Sequence, residues 1–176
     1  MANVNNPHGL RPLMRCDDGG APELQHYTKA ATYGNAIYRW DPVTLLAGLL
    51  KGPASGIAPG TTRYLGVAME ASLPSTLKEL LVMVSSKAVY DCQEDNSGAA
   101  NLVAADGLHA NLTTTAGDST LLTSKVQVSG TSINTTSSLD VNVLRLVEDP
   151  TNAYGAYARL EVRFNKHLLN KEGSVT

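Results

Sequence analysis

Turn-forming residue pairs divide this chain into short segments, and this spacing is the feature that most constrains its fold. Asp41-Pro42, Gly52-Pro53, Asp106-Gly107, Gly117-Asp118 and Asp149-Pro150 are the clearest pairs. Proline removes a backbone donor and fixes φ, while Gly and Asp favour turn conformations. Short segments between such turns are typical of strands in sandwiches and barrels. The sequence therefore predicts an all-β fold, a compact β-sandwich or barrel.

Alternation of apolar and polar residues places several of the strands. In residues 159–164, Leu160, Val162 and Phe164 alternate with charged residues, which indicates a strand with one buried face. Residues 141–147 are apolar on both faces, as in a strand that is covered on both sides. Residues 36–40, 64–69 and 88–92 are further predicted strands.

One segment has a different periodicity. Its apolar residues fall at helical spacing: Leu73, Leu77, Leu80, Leu81 and Val84. Thr76, followed three residues later by Glu79, would form a capping box. The pattern favours one short helix over residues 73–84, and a strand over residues 80–84 is the competing prediction.

The first 35 residues read as an extended arm. Proline and glycine interrupt them repeatedly, so neither a helix nor a central strand is expected there. Their isolated apolar residues, among them Leu10, Leu13 and Met14, need a surface to cover them, either on their own domain or on a neighbour. We therefore predict three regions: an arm over 1–35, a β-rich domain over 36–168 and a polar tail over 169–176.

Charge and apolar content exclude several classes of partner. Charged residues make up 17% of the chain, the net charge is −2, and no run of Lys or Arg occurs. Proteins that bind nucleic acid or anionic membrane need a basic face, so we expect neither partner. The longest apolar stretches are far too short to cross a bilayer, and the first residues show no secretory signal. Cys16 and Cys92 are expected to be reduced thiols.

The sequence offers no recognisable catalytic or metal-binding motif. Its histidines, His8, His26, His109 and His167, lie at no ligand spacing. The acidic pairs at 17–18 and 94–95 stand beside turn formers, where acidic residues are common for backbone reasons. We therefore predict no catalytic residue, no metal and no cofactor, and a binding or assembly protein rather than an enzyme.

Four segments resemble the head decoration, or cement, proteins of tailed bacteriophages. Residues 6–12, Asn-Pro-His-Gly-Leu-Arg-Pro, are similar to the P-[FH]-G-L-R-P opening of that family. Residues 33–43 resemble its segment G-Y-A-x-A-I-x-x-G-D-P-V, and residues 64–67 stand where it carries I-L-G-V. Residues 142–152 resemble L-x-I-L-G-L-V-E-x-P-x-N. The similarity runs in order from about residue 6 to residue 167. It lapses at Arg39-Trp40, where the family has a small residue, and over residues 73–85.

The resemblance implies a structural protein of the virion that is made in the host cytoplasm. Such proteins bind the outer surface of the head and bridge neighbouring major capsid subunits, which stabilises the expanded shell. Its partners would be the major capsid protein and itself, as a dimer or trimer. The family is β-structured, so the resemblance implies a strand where the periodicity within 73–84 favours a helix.

Two groups of residues are the predicted sites. We expect the opening segment to bind a partner through Pro7, His8, Gly9, Leu10, Arg11, Pro12, Leu13 and Met14. We expect a role in self-association or folding for Trp40, Asp41, Pro42, Pro150 and Asn152.

Two other functions remain open at this point. A phage tail, fibre or receptor-binding β-module could use the Thr- and Ser-rich residues 111–138 to contact carbohydrate. A small hydrolase could assemble a site from residues on different strands, because such sites are defined by geometry rather than by sequence position.

Overall fold

Two antiparallel five-stranded sheets pack together to form the molecule, which confirms the predicted all-β class. The structure, a computed structural model, describes residues 3–53, 57–98 and 105–169. The strands are β1 (Arg11–Cys16), β2 (Leu24–Lys29), β3 (Pro42–Leu46), β4 (Leu49–Lys51), β5 (Gly66–Ala68), β6 (Lys78–Met83), β7 (Ala88–Gln93), β8 (His109–Ala110), β9 (Val141–Leu146) and β10 (Arg159–Phe164). A single 3-10 turn, Gly130–Ser132, is the helical element in the described residues.

The first sheet is built from β1 and β7–β10, and the second from the intervening strands β2–β6. The first sheet has the order β1-β7-β10-β9-β8 and the second has β2-β6-β5-β3-β4. The strongly alternating residues 159–164 form β10, which lies between β7 and β9 as the central strand of the first sheet. The predicted strands over 141–147, 64–69 and 88–92 correspond to β9, β5 and β7. Residues 36–40 contribute only isolated bridges, at Ile37 and Arg39.

The second sheet carries a core on each of its faces. Val67 of β5 packs into the core between the sheets, and its neighbour Ala68 packs into a second core on the far face. Adjacent strand residues point to opposite faces, so both faces of β5 are buried. The edge strands β2 and β4 come within 8 Å of each other, measured between Cα atoms, so this sheet curls around the second core.

Within residues 73–84 the structure has a loop followed by the strand β6, so the helix prediction is wrong. Lys78–Met83 pairs with β2 on one side and with β5 on the other. Leu80 and Val82 are fully buried, whereas Leu73 and Leu77 are more than half exposed. Hydrogen-bond partners on both sides therefore outweigh the local helical pattern. The competing prediction of a strand at 80–84 was close to the observed bounds.

Much of the predicted arm belongs to the sandwich, so of the two surfaces left open for its apolar residues, the chain's own domain covers Leu10. β1 pairs with β7 in the first sheet, and β2 pairs with β6 in the second. Leu10 is fully buried in the core between the sheets. Both strands lie at sheet edges, where proline and irregular pairing are tolerated. The predicted tail begins at Leu169, and the rest of it, residues 170–176, lies outside the described residues.

Candidate interaction surfaces

The opening segment is tied to its own subunit before β1 begins. The Asn3 side chain donates to the carbonyls of Ala153 and Ala156 and accepts from the Ala153 N–H. The Gln93 side chain accepts from the Asn6 N–H and donates to the Val4 carbonyl, at 2.9 and 2.8 Å. These contacts hold residues 3–6 across the end of the first sheet beside a polar cleft of about 400 Å³.

Gly9 lies where the opening segment passes closest to the rest of the fold. Its φ is +75°, and a Cβ atom there would lie 2.3 Å from Ser124 Cβ and 2.7 Å from the Trp40 carbonyl oxygen. The next residue, Leu10, donates its N–H to that carbonyl at 3.0 Å. Only glycine combines this backbone conformation with so close an approach.

Of the eight residues predicted to bind a partner, few remain accessible. Gly9 and Leu10 are buried, and five are half-buried: Pro7, His8, Arg11, Pro12 and Leu13. Met14 is 57% exposed. Burial lowers the pKa of His8, whose ring packs edge-on against Trp40. The apolar anchor expected at Leu10 is therefore already used within the subunit. Met14 is the main exposed apolar group among these eight residues, and Val4, just before them, is 76% exposed.

Trp40 has a backbone conformation that is unusual for its side chain. Its φ is +70°, in the left-handed region that favours glycine. Its N–H donates to the Ala68 carbonyl at 2.7 Å, and its carbonyl accepts from Leu10, so it links the opening segment to β5. The Arg39 guanidinium stacks on the indole with its carbon 4.2 Å from the ring centroid.

Asp41 places a carboxyl group in the interior directly after Trp40. Its side chain is buried, accepts the Tyr38 N–H at 2.8 Å and bonds with the Ser124 hydroxyl. Burial raises the pKa of Asp41 to about 7. Pro42 follows, also buried, and pairs with Val67. These residues therefore have a folding role, as the sequence prediction allowed.

Asn152 and Pro150 shape the connection between β9 and β10. The Asn152 side chain donates to the Val147 and Arg159 carbonyls at 2.9 and 2.8 Å, and it accepts from the Arg159 N–H. This one amide thus extends the ladder between two strands. Pro150 is exposed in the turn itself. The Asn152 side chain thus bonds within the fold. Among the described residues, no hydrogen bond or ring contact joins Pro150 or Asn152 to Trp40.

Ion pairs cover the outer face of the first sheet, and sequence reasoning did not identify this network. Asp91 on β7 is fully buried between Arg11 on β1 and Arg159 on β10. Glu161 on β10 likewise pairs with Arg15 and Arg145. Further links reach Asp149, Glu148 and Asp17. The alternation Arg159-Glu161-Arg163 was the visible signal, but its partners lie on strands far away in the sequence.

A second surface is formed by the loop that follows β2 and the loop that precedes β6, and the Glu70–Lys78 ion pair borders it. Residues 30–35 and 71–77, here called the uncharged tip, contain no Asp, Glu, Lys or Arg. All five residues from 73 to 77 are exposed. The Ser75 N–H donates to the Tyr33 carbonyl at 3.0 Å, which joins the two segments. Sequence reasoning did not identify this surface.

A buried lysine donates hydrogen bonds to the backbone of the uncharged tip. Lys29 is fully buried, and its ammonium donates to the carbonyls of Leu73 and Thr76 at 2.9 and 3.2 Å. Lys29 and Lys51 approach the ring of Tyr33, to 5.4 and 4.2 Å from its centroid. Burial and the nearby Lys51 lower the pKa of Lys29. Among the described residues, no carboxylate pairs with either lysine.

The predicted acidic pairs and histidines are used locally or stay apart. Asp17 and Asp18 bind Arg163 and Lys87, while Glu94 accepts the N–H groups of Gly98 and Tyr157. Within the described ranges, no three His, Cys, Asp or Glu side chains come together as a group that could hold a metal ion. Both cysteines are buried as free thiols. No helix in the described part of the chain has the length and apolar character needed to cross a membrane.

Fold and surfaces define a two-sheet β protein with one self-paired ionic face and one uncharged tip. No protein-family model matches the chain, and comparison with curated proteins and with solved structures finds no significant match.

Proposed function

We propose that this chain is a structural, non-enzymatic decoration protein of a tailed-phage head. It binds the outer surface of the shell, bridges neighbouring major capsid subunits and stabilises the expanded form. Self-association as a dimer or trimer belongs to the same proposal. The resemblance described above supplies the class, and the all-β fold agrees with it.

The backbone of Trp40 is the observation that carries the proposal. The decoration-protein pattern G-D-P-V has glycine at this position, and here the sequence departs from it. The φ of +70° at Trp40 is nevertheless the conformation for which glycine is selected. The resemblance therefore extends to the backbone conformation at this position. The opening segment of this chain also contacts Trp40, because the Leu10 N–H donates to the Trp40 carbonyl.

The buried acidic groups support a structural role. Asp140 accepts the N–H groups of Gly60 and Leu112 at 2.8 and 2.9 Å, and Glu94 accepts two others. Asp91 is held between two arginines. Each of these carboxylates fixes loops or neighbouring strands, and such bonds are worth most where water is excluded.

Docking through the opening segment becomes a narrower proposal. Leu10 stabilises the domain itself, so an apolar contact with the shell from this segment would have to use Met14 or Val4, which are exposed. Deleting residues 1–16 would remove β1 and a buried core residue, and it would therefore unfold or destabilise the domain. Met14→Ser tests the contact without this complication, because Met14 is exposed.

Co-sedimentation tests the function directly. The purified chain is mixed with undecorated shells assembled from the major capsid protein of the same genome, before and after expansion. We expect binding to expanded shells and little binding to unexpanded ones. Absence of binding to either form, together with binding of the isolated protein to cells or glycans, would favour a tail or receptor-binding module instead.

A further inference from the structure

We infer that the uncharged tip is the surface through which this chain docks, and that its occupant is an acidic protein surface on the shell. The inference rests on the proposed function and names the part of the molecule that performs it. The uncharged tip comprises residues 30–35 and 71–77, as defined above.

Exposed apolar groups give the uncharged tip its binding capacity. Leu73 and Leu77 are 57% and 67% exposed and flank Pro74, also exposed, in the same loop. Interface centres are depleted in charged residues and carry a few apolar or aromatic anchors. Leu46, at the end of β3, and Leu121, in a turn with Leu122, are 64% and 73% exposed and lie elsewhere. Leu122 is only 37% exposed, so the uncharged tip is distinguished by two leucines that are each more than half exposed, together with an exposed proline.

The loop is held in one conformation before any partner arrives. Lys29 holds the carbonyls of Leu73 and Thr76, and Ser75 is fixed to Tyr33 with a φ of +53°. Burying an ammonium group is costly compared with an apolar residue of similar size. A rigid loop, in contrast, loses little conformational entropy when it binds. A recognition role for this loop would explain why the chain buries the Lys29 ammonium, because the rigid loop loses less conformational entropy on binding.

Charge identifies the kind of partner. The ammonium groups of Lys29 and Lys51 lie against one ring, Tyr33, and neither forms an ion pair with a described residue. Lys51 is only half-buried, so a carboxylate of a partner can approach it. The arginines on the outer face of the first sheet, by comparison, already have acidic partners. Lys29 is fully buried, so a complementary surface would present a carboxylate to Lys51 beside an apolar patch.

A protein fits these features better than a nucleic acid does. Two lysines supply little of the phosphate neutralisation that nucleic-acid binding needs, and the chain as a whole carries a net charge of −2. Leu73 and Leu77 would have no counterpart on a phosphate backbone.

The test compares two double variants with equal numbers of exposed leucines removed. Leu73→Ser with Leu77→Ser alters the uncharged tip, and Leu46→Ser with Leu121→Ser is the matched control. Co-sedimentation with expanded shells gives the dissociation constant of each. We expect the first variant to bind about 10- to 100-fold more weakly and the control to bind within about twofold of the wild type. Lys51→Glu should weaken binding about tenfold and reduce its dependence on salt. Thermal unfolding checks that all three variants are folded.

The outcomes separate the two proposals. If the wild type binds and the Leu73/Leu77 variant binds equally well, the docking surface is wrong and the decoration function stands. If the wild type binds neither form of the shell, the decoration function is wrong, and the assignment of this occupant falls with it. Binding of the wild type to nucleic acid in place of shells would also overturn the assignment.

Discussion

The side chain of Asn152 pairs with the backbone of Arg159 as a neighbouring strand residue would. Its amide donates to the Arg159 carbonyl at 2.8 Å and accepts from the Arg159 N–H at 2.9 Å. A third bond reaches the Val147 carbonyl. Side-chain amides can replace a backbone partner because they carry both a donor and an acceptor. The end of the β9–β10 pair is thereby closed by one residue.

Replacing Asn152 with Ala should lower the free energy of unfolding by about 2 kcal/mol, because three bonds are lost and backbone groups are left without partners. Urea denaturation measures this difference. Asn5→Ala is the control, since Asn5 is exposed, and it should leave the midpoint unchanged. Equal midpoints for the two variants would contradict the role given to Asn152.

Gly9→Ala should destabilise the protein far more than Gly19→Ala. Both glycines have a left-handed φ, +75° and +83°, so alanine brings similar backbone strain of about 1 kcal/mol to each. Nothing lies within 4 Å of a Cβ at Gly19, whereas a Cβ at Gly9 meets Ser124 at 2.3 Å. We expect an additional loss of about 2 kcal/mol or more at Gly9. Similar melting temperatures for the two variants would show that the opening segment does not pack as described.

Trp40→Gly should be more stable than Trp40→Ala. Glycine usually lowers the stability of a chain relative to alanine, because it has more conformational freedom when unfolded. At a φ of +70° the order should reverse by about 1 kcal/mol, since only alanine is strained there. Both variants lose the packing against His8 and Arg39 equally. Chemical denaturation of the pair gives the sign, and alanine being the more stable would contradict the positive φ.

Asp41→Asn should remove a pH dependence of stability. The folded pKa of about 7 lies above the unfolded value, so the folded state retains the proton longer. Below the unfolded pKa the contribution is complete, and it is lost as the pH rises to about 7, by about 1.4 kcal/mol per pH unit. Burial lowers the pKa of His8 and His167, which acts in the opposite direction. The measurement is therefore the difference in unfolding free energy between wild type and variant at pH 5 and pH 8, and a constant difference would contradict the prediction.

Asp91→Ala should lower the free energy of unfolding by about 2 kcal/mol, because it leaves the guanidinium groups of Arg11 and Arg159 without their buried acceptor. Lys87→Ala removes an exposed pair with Asp18 and serves as the control, with no measurable change expected. High salt should change the contribution of the Asp91 ion pairs to the free energy of unfolding only slightly, since buried pairs are poorly screened. An equal change in the free energy of unfolding for both substitutions would show that burial does not strengthen the ion pairs on the outer face of the first sheet.

Residues 159–164 and residues 73–84 show where the local sequence pattern agrees with the tertiary structure and where it does not. Residues 159–164 alternate so regularly that their strand could be predicted from the sequence. Residues 73–84 show helical spacing, yet β2 and β5 supply backbone partners on both sides of Lys78–Met83. The pairing with β2 joins residues as distant as Leu24 and Met83, which are 59 positions apart, whereas the pairing with β5 joins residues 14 to 16 positions apart. Short-range periodicity carries no information about such partners.

The sequence by itself determined the all-β class, because turn residues and period-two alternation act within a few residues. The role in self-association or folding that it gave to Trp40, Asp41, Pro42, Pro150 and Asn152 stays a prediction. Only the tertiary structure decided that Leu10 is a core residue, that Lys29 is buried beneath a loop and that Leu73 and Leu77 face solvent. The physical reason is that burial depends on which distant strands meet. In each sheet, strands that are distant in the sequence lie side by side, as β1 and β7 do, and they bring together residues that no local pattern connects.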